Sequence, residues 1–451
     1  MNGCSSRLPF ALALFGLGAE SVNAQQNEVR LMAEPASYTD VIDAFDEQKG
    51  FDMDVRIGFV RRRVAGRVVR EGAGSPAGRA HHIHMLDHVH STNNLVVGLR
   101  VGLYRDLMLY STLPLVLSDE RLLRVPAGRT ASEIDSALLA PVPSSFYSRP
   151  PAPRDRLQYD RLFALGDRAH YQGPARSGFD WVGFGLAWGL TNQFRRPGLP
   201  NWVAMVEGRF GLGEPMRAGK ARAVSRGTHA LRFETRTSRR YRYLEPLAGV
   251  AFQAEWPVAN RAVFGVGQGL PRGALTRPPR SVEAVVGVAI VPWESRARFQ
   301  RVTVDLRLLC SRLSRGRDYG PLFDALGTSS SPFLTLMDPT ARDPTPGPMP
   351  RFAGLTDTDS YARMAAQAGV VIRAARYVGF TAGVRLARDT PHWITGSNRC
   401  FDNTIAATGS LACGAGTPNP QHRAVIDQPG QRFRLEGQVL VEVYTHATGH
   451  F

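Results

Sequence analysis

The chain has 451 residues, with 45 glycines, 31 prolines, 43% hydrophobic side chains and a formal net charge of +16, enough for one large β domain or two smaller ones. The positive charge is nearly all arginine, Lys49 and Lys220 being the only lysines, and no basic helix or interleaved aromatic ladder accompanies it, so a nucleic-acid partner is not expected. No stretch reaches the roughly 18 uninterrupted apolar residues of a membrane helix; the best, 282–293, is short and contains Glu283.

Residues 1–24 read as a secretory signal peptide. Arg7 supplies the positive region, residues 8–19 the apolar run, and Val22-Asn23-Ala24 the small-residue cleavage pattern. Residues 25–50 form a short exported segment, expected to lie in the periplasm, in which 37–48 predicts a capped helix with Val41, Ile42 and Phe45 on one side. From 51 onward the pattern changes to strict alternation. Phe51, Met53, Val55, Ile57 and Phe59 are apolar while Asp52, Asp54 and Arg56 between them are polar, which predicts a strand running to about Arg70. A loop is expected over 72–91. Then comes a hairpin: Leu95, Val97, Leu99, Val101 and Leu103 on one arm, Leu107, Leu109, Leu113, Leu115 and Leu117 on the other, around a turn at Arg105-Asp106. The same period predicts strands over 178–190, 201–211, 228–237, 245–256, 281–292, 299–312, 361–374, 377–388 and 431–446. The expected total is twelve, an even number.

The connections carry the next step. Long ones (72–91, 119–177, 212–227, 257–280, 313–360, 389–430) alternate with short ones (105–106, 191–200, 238–244, 293–298, 375–376) along the whole chain. A sandwich has no reason to gather every long loop at one end. A transmembrane antiparallel up-and-down β-barrel does, with short periplasmic turns and long outside loops, over 51–451. Trp181, Trp202, Tyr243, Trp256, Trp293, Tyr377 and Tyr444 fall near strand ends, where interfacial girdles sit, and the chain ends in Phe451. On the runs FDMDVRIGF (51–59), GLYRDLMLYSTLPLVLSD (102–119), RSGFDWVGFGLAWGLTNQ (176–193), LRFETRTSRRYRYLEPLAGVAFQ (231–253) and TPHWITG (390–396), the chain resembles outer-membrane β-barrels of Gram-negative bacteria, in particular uncharacterised barrels of myxobacteria. The resemblance implies an outer-membrane location and a barrel with outer-membrane lipid as its neighbour. It implies no substrate and no catalytic residue.

With the apolar rows turned to lipid, the inward set becomes Asp52, Asp54, Arg56, Arg100, Glu207, Arg209, Arg232, Glu234, Arg236, Glu255, Glu283, Asp305, Arg307, Arg363, Arg373, Arg385, Arg434, Glu436 and Glu442. Two readings stand side by side. Mutually paired charges fill a closed lumen, or a water-filled passage with more arginine than carboxylate favours small anionic solutes. In the second, Arg100, Arg373 and Arg385 are expected to dominate, because Glu234 neutralises Arg232 and Arg236. The histidines of HHIHMLDHVH (81–90) match no tetrahedral metal spacing, and a solvated loop is expected there. Cys400 and Cys413, in the last long loop of an exported chain, are expected to form a disulfide, and Cys310 to act as a small hydrophobe on an apolar face. No G-x-S-x-G elbow, H-E-x-x-H or phosphate loop is present, so neither an enzyme nor a cofactor is expected. A pore or transporter is the leading function. A closed structural or surface-binding barrel, acting through its outer loops on an unspecified extracellular ligand, is the alternative, and a membrane-embedded hydrolase ranks below both.

Overall fold

Alternating strands offer one greasy face but leave unpaired edges, and closing the sheet on itself satisfies every edge at once. The computed structural model describes residues 35, 37–42, 52–72, 81–129, 170–258, 277–329, 334, 352–397, 422–427 and 429–451. The strands are β1 (Met53–Gly72), β2 (His81–Tyr104), β3 (Leu107–Arg124), β4 (His170–Gln172), β5 (Arg176–Phe179), β6 (Trp181–Thr191), β7 (Asn201–Gly211), β8 (Thr228–Ser238), β9 (Leu244–Pro257), β10 (Ser281–Ser295), β11 (Gln300–Leu313), β12 (Gly316–Asp318), β13 (Thr356–Thr358), β14 (Tyr361–Ala375), β15 (Val378–Asp389), β16 (His392–Trp393) and β17 (Phe433–His450). Twelve of them form a closed antiparallel barrel in the order β1-β2-β3-β6-β7-β8-β9-β10-β11-β14-β15-β17. The β1–β17 pair seals it, with Arg56 opposite Thr448 and Arg63 opposite Val441. The expected strand count and neighbour order both hold.

The outer wall is apolar. Phe184, Leu186 and Trp188 on β6, Leu306 and Leu308 on β11, and Phe380, Val384 and Leu386 on β15 are all exposed, Leu308 by 62%. So large an exposed apolar belt is what lipid covers. Trp202, Tyr243, Trp256, Trp293 and Tyr377 stand outward, as the girdle reading expects. Trp181 and Tyr444 do not: Trp181 stacks under Arg209 in the lumen, 4.6 Å from guanidinium carbon to ring centroid, and the Tyr444 hydroxyl accepts from Gln367 Nε2 at 2.9 Å. Each lies on an inward row, which proximity to a strand end does not reveal. Cys310 is exposed on the outer wall.

Four strands outgrow a bilayer. β1, β2, β3 and β17 have 20, 24, 18 and 18 residues, where a tilted crossing takes about 9–11. The loop expected over 72–91 is therefore wrong from His81 on: the histidine-rich run is strand, paired with the upper half of β1 from Gly72↔His81 to Val64↔His90. Histidines and Asp87 interrupt the apolar row of Ile83, Met85 and Val89, and a register slip between Val68↔Leu86 and Val69↔His84 breaks its period, so the run carries no clear strand signal. The short turns hold tight geometry through left-handed residues at Arg105 (φ 26), Arg242 (φ 52) and Phe299 (φ 51). Gly437 (φ 60) marks a bulge where β17 slips in register between Ala65↔Val439 and Arg67↔Glu436. That slip changes which residues of β17 face inward.

The end with the long connections is filled. A short helix α1 (Phe323–Gly327), the β12–β13 ribbon and a second short helix α2 (Ala424–Asp427) pack inward on the extended strands. Val68, Met85, Leu86 and Leu123 of the wall meet Leu322, Leu326, Phe352, Ile394 and Ile426 in one buried cluster. The leader 1–24 and the Cys400–Cys413 pair lie outside the described residues.

Candidate functional site: the lumen and its two closures

Most inward charges are matched rather than free. Arg232 Nε donates to Glu234 at 3.1 Å and its Nη2 to Glu283 at 3.4 Å, while Arg236 Nε donates to the other Glu234 oxygen at 2.6 Å. Arg209 Nε donates to Glu207 at 2.6 Å, Arg307 Nε to Asp305 at 2.8 Å, and Arg363 grips Asp389 with two bonds of 2.6 and 2.8 Å. Arg385 lies 3.5 Å from Glu283. Arg56, Arg100, Arg209, Arg232, Glu234, Arg236, Asp305, Arg307, Arg363, Arg373 and Arg385 lie on inward rows of their strands. Arg434 and Glu436 do not. Beyond the Gly437 bulge it is Phe433 and Leu435 that point inward into the buried cluster, so Arg434 turns out to stack on Trp393 at 5.6 Å and Glu436 to meet His82 at 3.3 Å.

The expected ranking of the arginines is also overturned. Arg100 binds Asp40 at 3.0 Å and Asp54 besides. Asp54 stands directly opposite Arg100 across the β1–β2 pair and Asp40 belongs to the N-terminal segment, so neither partner is named by the alternation within β2. Arg373 donates to the carbonyls of Ala375 and Arg376 at its own turn. The inward arginines that make no salt bridge or hydrogen bond among the described residues are Arg56 and Arg62, the Nε of Arg62 being buried without a partner.

The lower closure has no counterpart in the sequence pattern. Residues 37–39 make a turn rather than the start of a helix, and they sit inside the barrel. Tyr38 is 5% exposed, ringed by Val64, Leu247, Val285, Leu309, Ala365, Ala387 and Leu440 from the inward rows. Its ring lies between Arg236 and Arg307, at 4.9 and 4.6 Å, and its carbonyl accepts from Arg236 Nη1 at 3.1 Å. Thr39 bonds Ser238 at 2.6 Å, Asp40 holds Arg100, and Val41 and Ile42 pack on Met108, Ala187 and Val203. Gly249 makes room: a Cβ there would lie 2.0 Å from the Tyr38 hydroxyl. The apolar side of 37–48 was legible, but nothing in it says that the greasy face docks within a lumen.

The upper closure is built on buried ion pairs. Arg176 and Asp324, 0% and 2% exposed, join through bonds of 2.9 and 2.5 Å, and Asp324 also accepts from Gly219 N at 3.1 Å. Arg226 bridges Glu255 at 2.7 Å and Asp318 at 2.9 Å. Asp427 accepts from the backbone N–H groups of Gly396, Ser397 and Arg423 at 2.8, 3.0 and 2.8 Å, yet burial pushes its carboxyl above the usual carboxylate range.

Between the closures lies a cavity of about 410 Å³. Arg62, His88, His90, Asp119, Arg121, Arg363 and Glu442 line its walls, with Tyr319 and Ile394 from the cap. Val64 lines the cavity and also belongs to the buried cluster around Tyr38. His90 Nε2 meets Asp119 at 3.2 Å, and His84 meets Asp87 at 3.0 Å. Among the described residues no group of three or more His, Cys, Asp or Glu is placed to hold a metal ion.

No family model and no curated protein matches the chain. Among solved structures it is similar to an outer membrane channel from Pseudomonas putida F1 (9% identity, 93% of this chain and 99% of that one, TM-score 0.39). It is also similar to the TodX monoaromatic hydrocarbon channel (9%, 93% and 93%, TM-score 0.35) and to the outer membrane protease OmpT from Escherichia coli (6%, 89% and 96%, TM-score 0.27). At these values the likenesses decide nothing between channel and protease. The closed even-stranded barrel with its apolar belt is on its own architecture an outer-membrane β-barrel.

Proposed function

We propose that the protein is an outer-membrane channel for small polar solutes, held shut in this conformation by residues 37–42 below and the α1–α2 cap above. The observation that carries it is the cavity of about 410 Å³ enclosed by barrel-wall and cap residues. A barrel serving only as a scaffold has no need of polar space at its centre. Long connections face the exterior and short turns the periplasm. Passage favours anions, because Arg56 and Arg62 are the inward arginines that no described carboxylate binds and their charge persists near neutral pH. Planar-bilayer recording in a salt gradient tests this. The wild type should open rarely, with a reversal potential on the anion side, and R56Q/R62Q should shift it towards cations. R232Q/R236Q should shift it less. Absence of conductance even when the lower segment is released would favour the second reading, a closed barrel acting through its outer loops, for which the filled upper end speaks.

A further inference from the structure

The apolar belt is interrupted on β1. Its outward row runs Val55, Ile57, Phe59 and then Arg61 and Arg63, both exposed. Arg61 stands opposite Val443 on β17 and Asn93 on β2, and Arg63 opposite Val441 and Ser91. One strand further the same rows reach Val384 and Leu386 on β15, and Ser118 and Glu120 on β3. The two guanidiniums therefore sit at the upper margin of the belt, where β17 and β15 still present aliphatic side chains. Neither makes a hydrogen bond or salt bridge among the described residues. No directly opposed residue is acidic, and Glu120 is two strands away.

A fixed charge at the edge of the hydrocarbon needs a counter-ion. The long arginine stem lets the head reach the headgroup layer, and its planar fork binds phosphate through two parallel bonds. Two such forks on alternate positions of one strand lie roughly 7 Å apart along it. We propose that Arg61 and Arg63 form a site on the outer wall for a phosphorylated lipid of the outer leaflet, its acyl chains lying over Ile57, Phe59, Val441 and Val443. This rests on the orientation given above and is independent of conduction.

Native mass spectrometry of the detergent-solubilised full chain tests it, with diphosphorylated lipid A, fully dephosphorylated lipid A, phosphatidylglycerol and inorganic phosphate as probes. Wild type should retain lipid A and bind the dephosphorylated form at least tenfold more weakly. R61Q/R63Q should lose at least tenfold in lipid A affinity, R61K/R63K less, and R124Q, on the outer face of β3, should bind as wild type. Equal binding by wild type and R61Q/R63Q would overturn the site, as would equal binding of the two lipid A forms or full displacement by millimolar inorganic phosphate. Preference for phosphatidylglycerol would overturn the outer-leaflet assignment. R61Q/R63Q should leave the bilayer conductance unchanged, so a failed lipid site and a failed channel give different records.

Discussion

Replacing Tyr38 by alanine should open the channel. The side chain is 5% exposed and fills the ring formed by Leu247, Val285, Leu309 and their neighbours. Truncating a buried aromatic residue costs about 3–5 kcal/mol, including about 1 kcal/mol for each of the two arginines held against its faces. The segment keeps its other attachments, namely the Arg236 bond to the Tyr38 carbonyl, the Thr39–Ser238 bond and the Asp40–Arg100 pair. Even if half the loss is recovered by settling, about 2 kcal/mol remains, a change of about 30-fold in the ratio of docked to undocked segment. Single-channel recording of wild type, Y38F and Y38A reads that ratio as open probability. The Tyr38 hydroxyl is buried without a partner among the described residues, so Y38F should stay closed, since removing an unsatisfied hydroxyl is not penalised. G249A attacks the same contact from the wall and should open the channel as Y38A does. The double variant should add little, because both changes break one interaction. Equal open probability in Y38A and wild type, or opening by Y38F, would refute the reasoning.

Two further outcomes follow from the upper closure. Asp324→Ala leaves Arg176 buried and unpaired, which should cost about 3–5 kcal/mol and appear as faster hydrogen exchange over 316–328 with the barrel strands unaffected. At the top of β1, far beyond the bilayer, burial alone would raise the Glu71 carboxyl, but bonds from the Arg432 side chain (one at 2.6 Å) and from Gly430 N (2.8 Å) outweigh it and hold it below the usual range. A depressed carboxylate stabilises above its unfolded value, near 4.3, and loses that contribution as pH falls through the lower folded value. Proteolysis at 429–432 should therefore accelerate on acidification below about pH 4, and E71Q should be equally susceptible at neutral pH; a pH-independent cleavage rate in the wild type would count against the clasp.

The sequence by itself determined the barrel. Period-2 rows such as Val302, Val304, Leu306 and Leu308 need a lipid or core partner along one face, and the alternation of long and short connections leaves up-and-down closure as the economical topology. It also placed the inward row correctly wherever alternation ran unbroken, as from Arg232 to Arg236. Tertiary structure decided the rest. The bulge at Gly437 shifts Arg434 and Glu436 to the outer face, because one extra residue reverses every side chain beyond it. Above the bilayer no lipid imposes alternation, so the histidine run of β2 is defined as strand only by its pairing with β1. The neutralisation of Arg100 by Asp40, and the seating of Tyr38 between Arg236 and Arg307, join residues 60 to nearly 270 positions apart in the chain. Local pattern is blind to such contacts, because only closure of the barrel brings those side chains around a common axis.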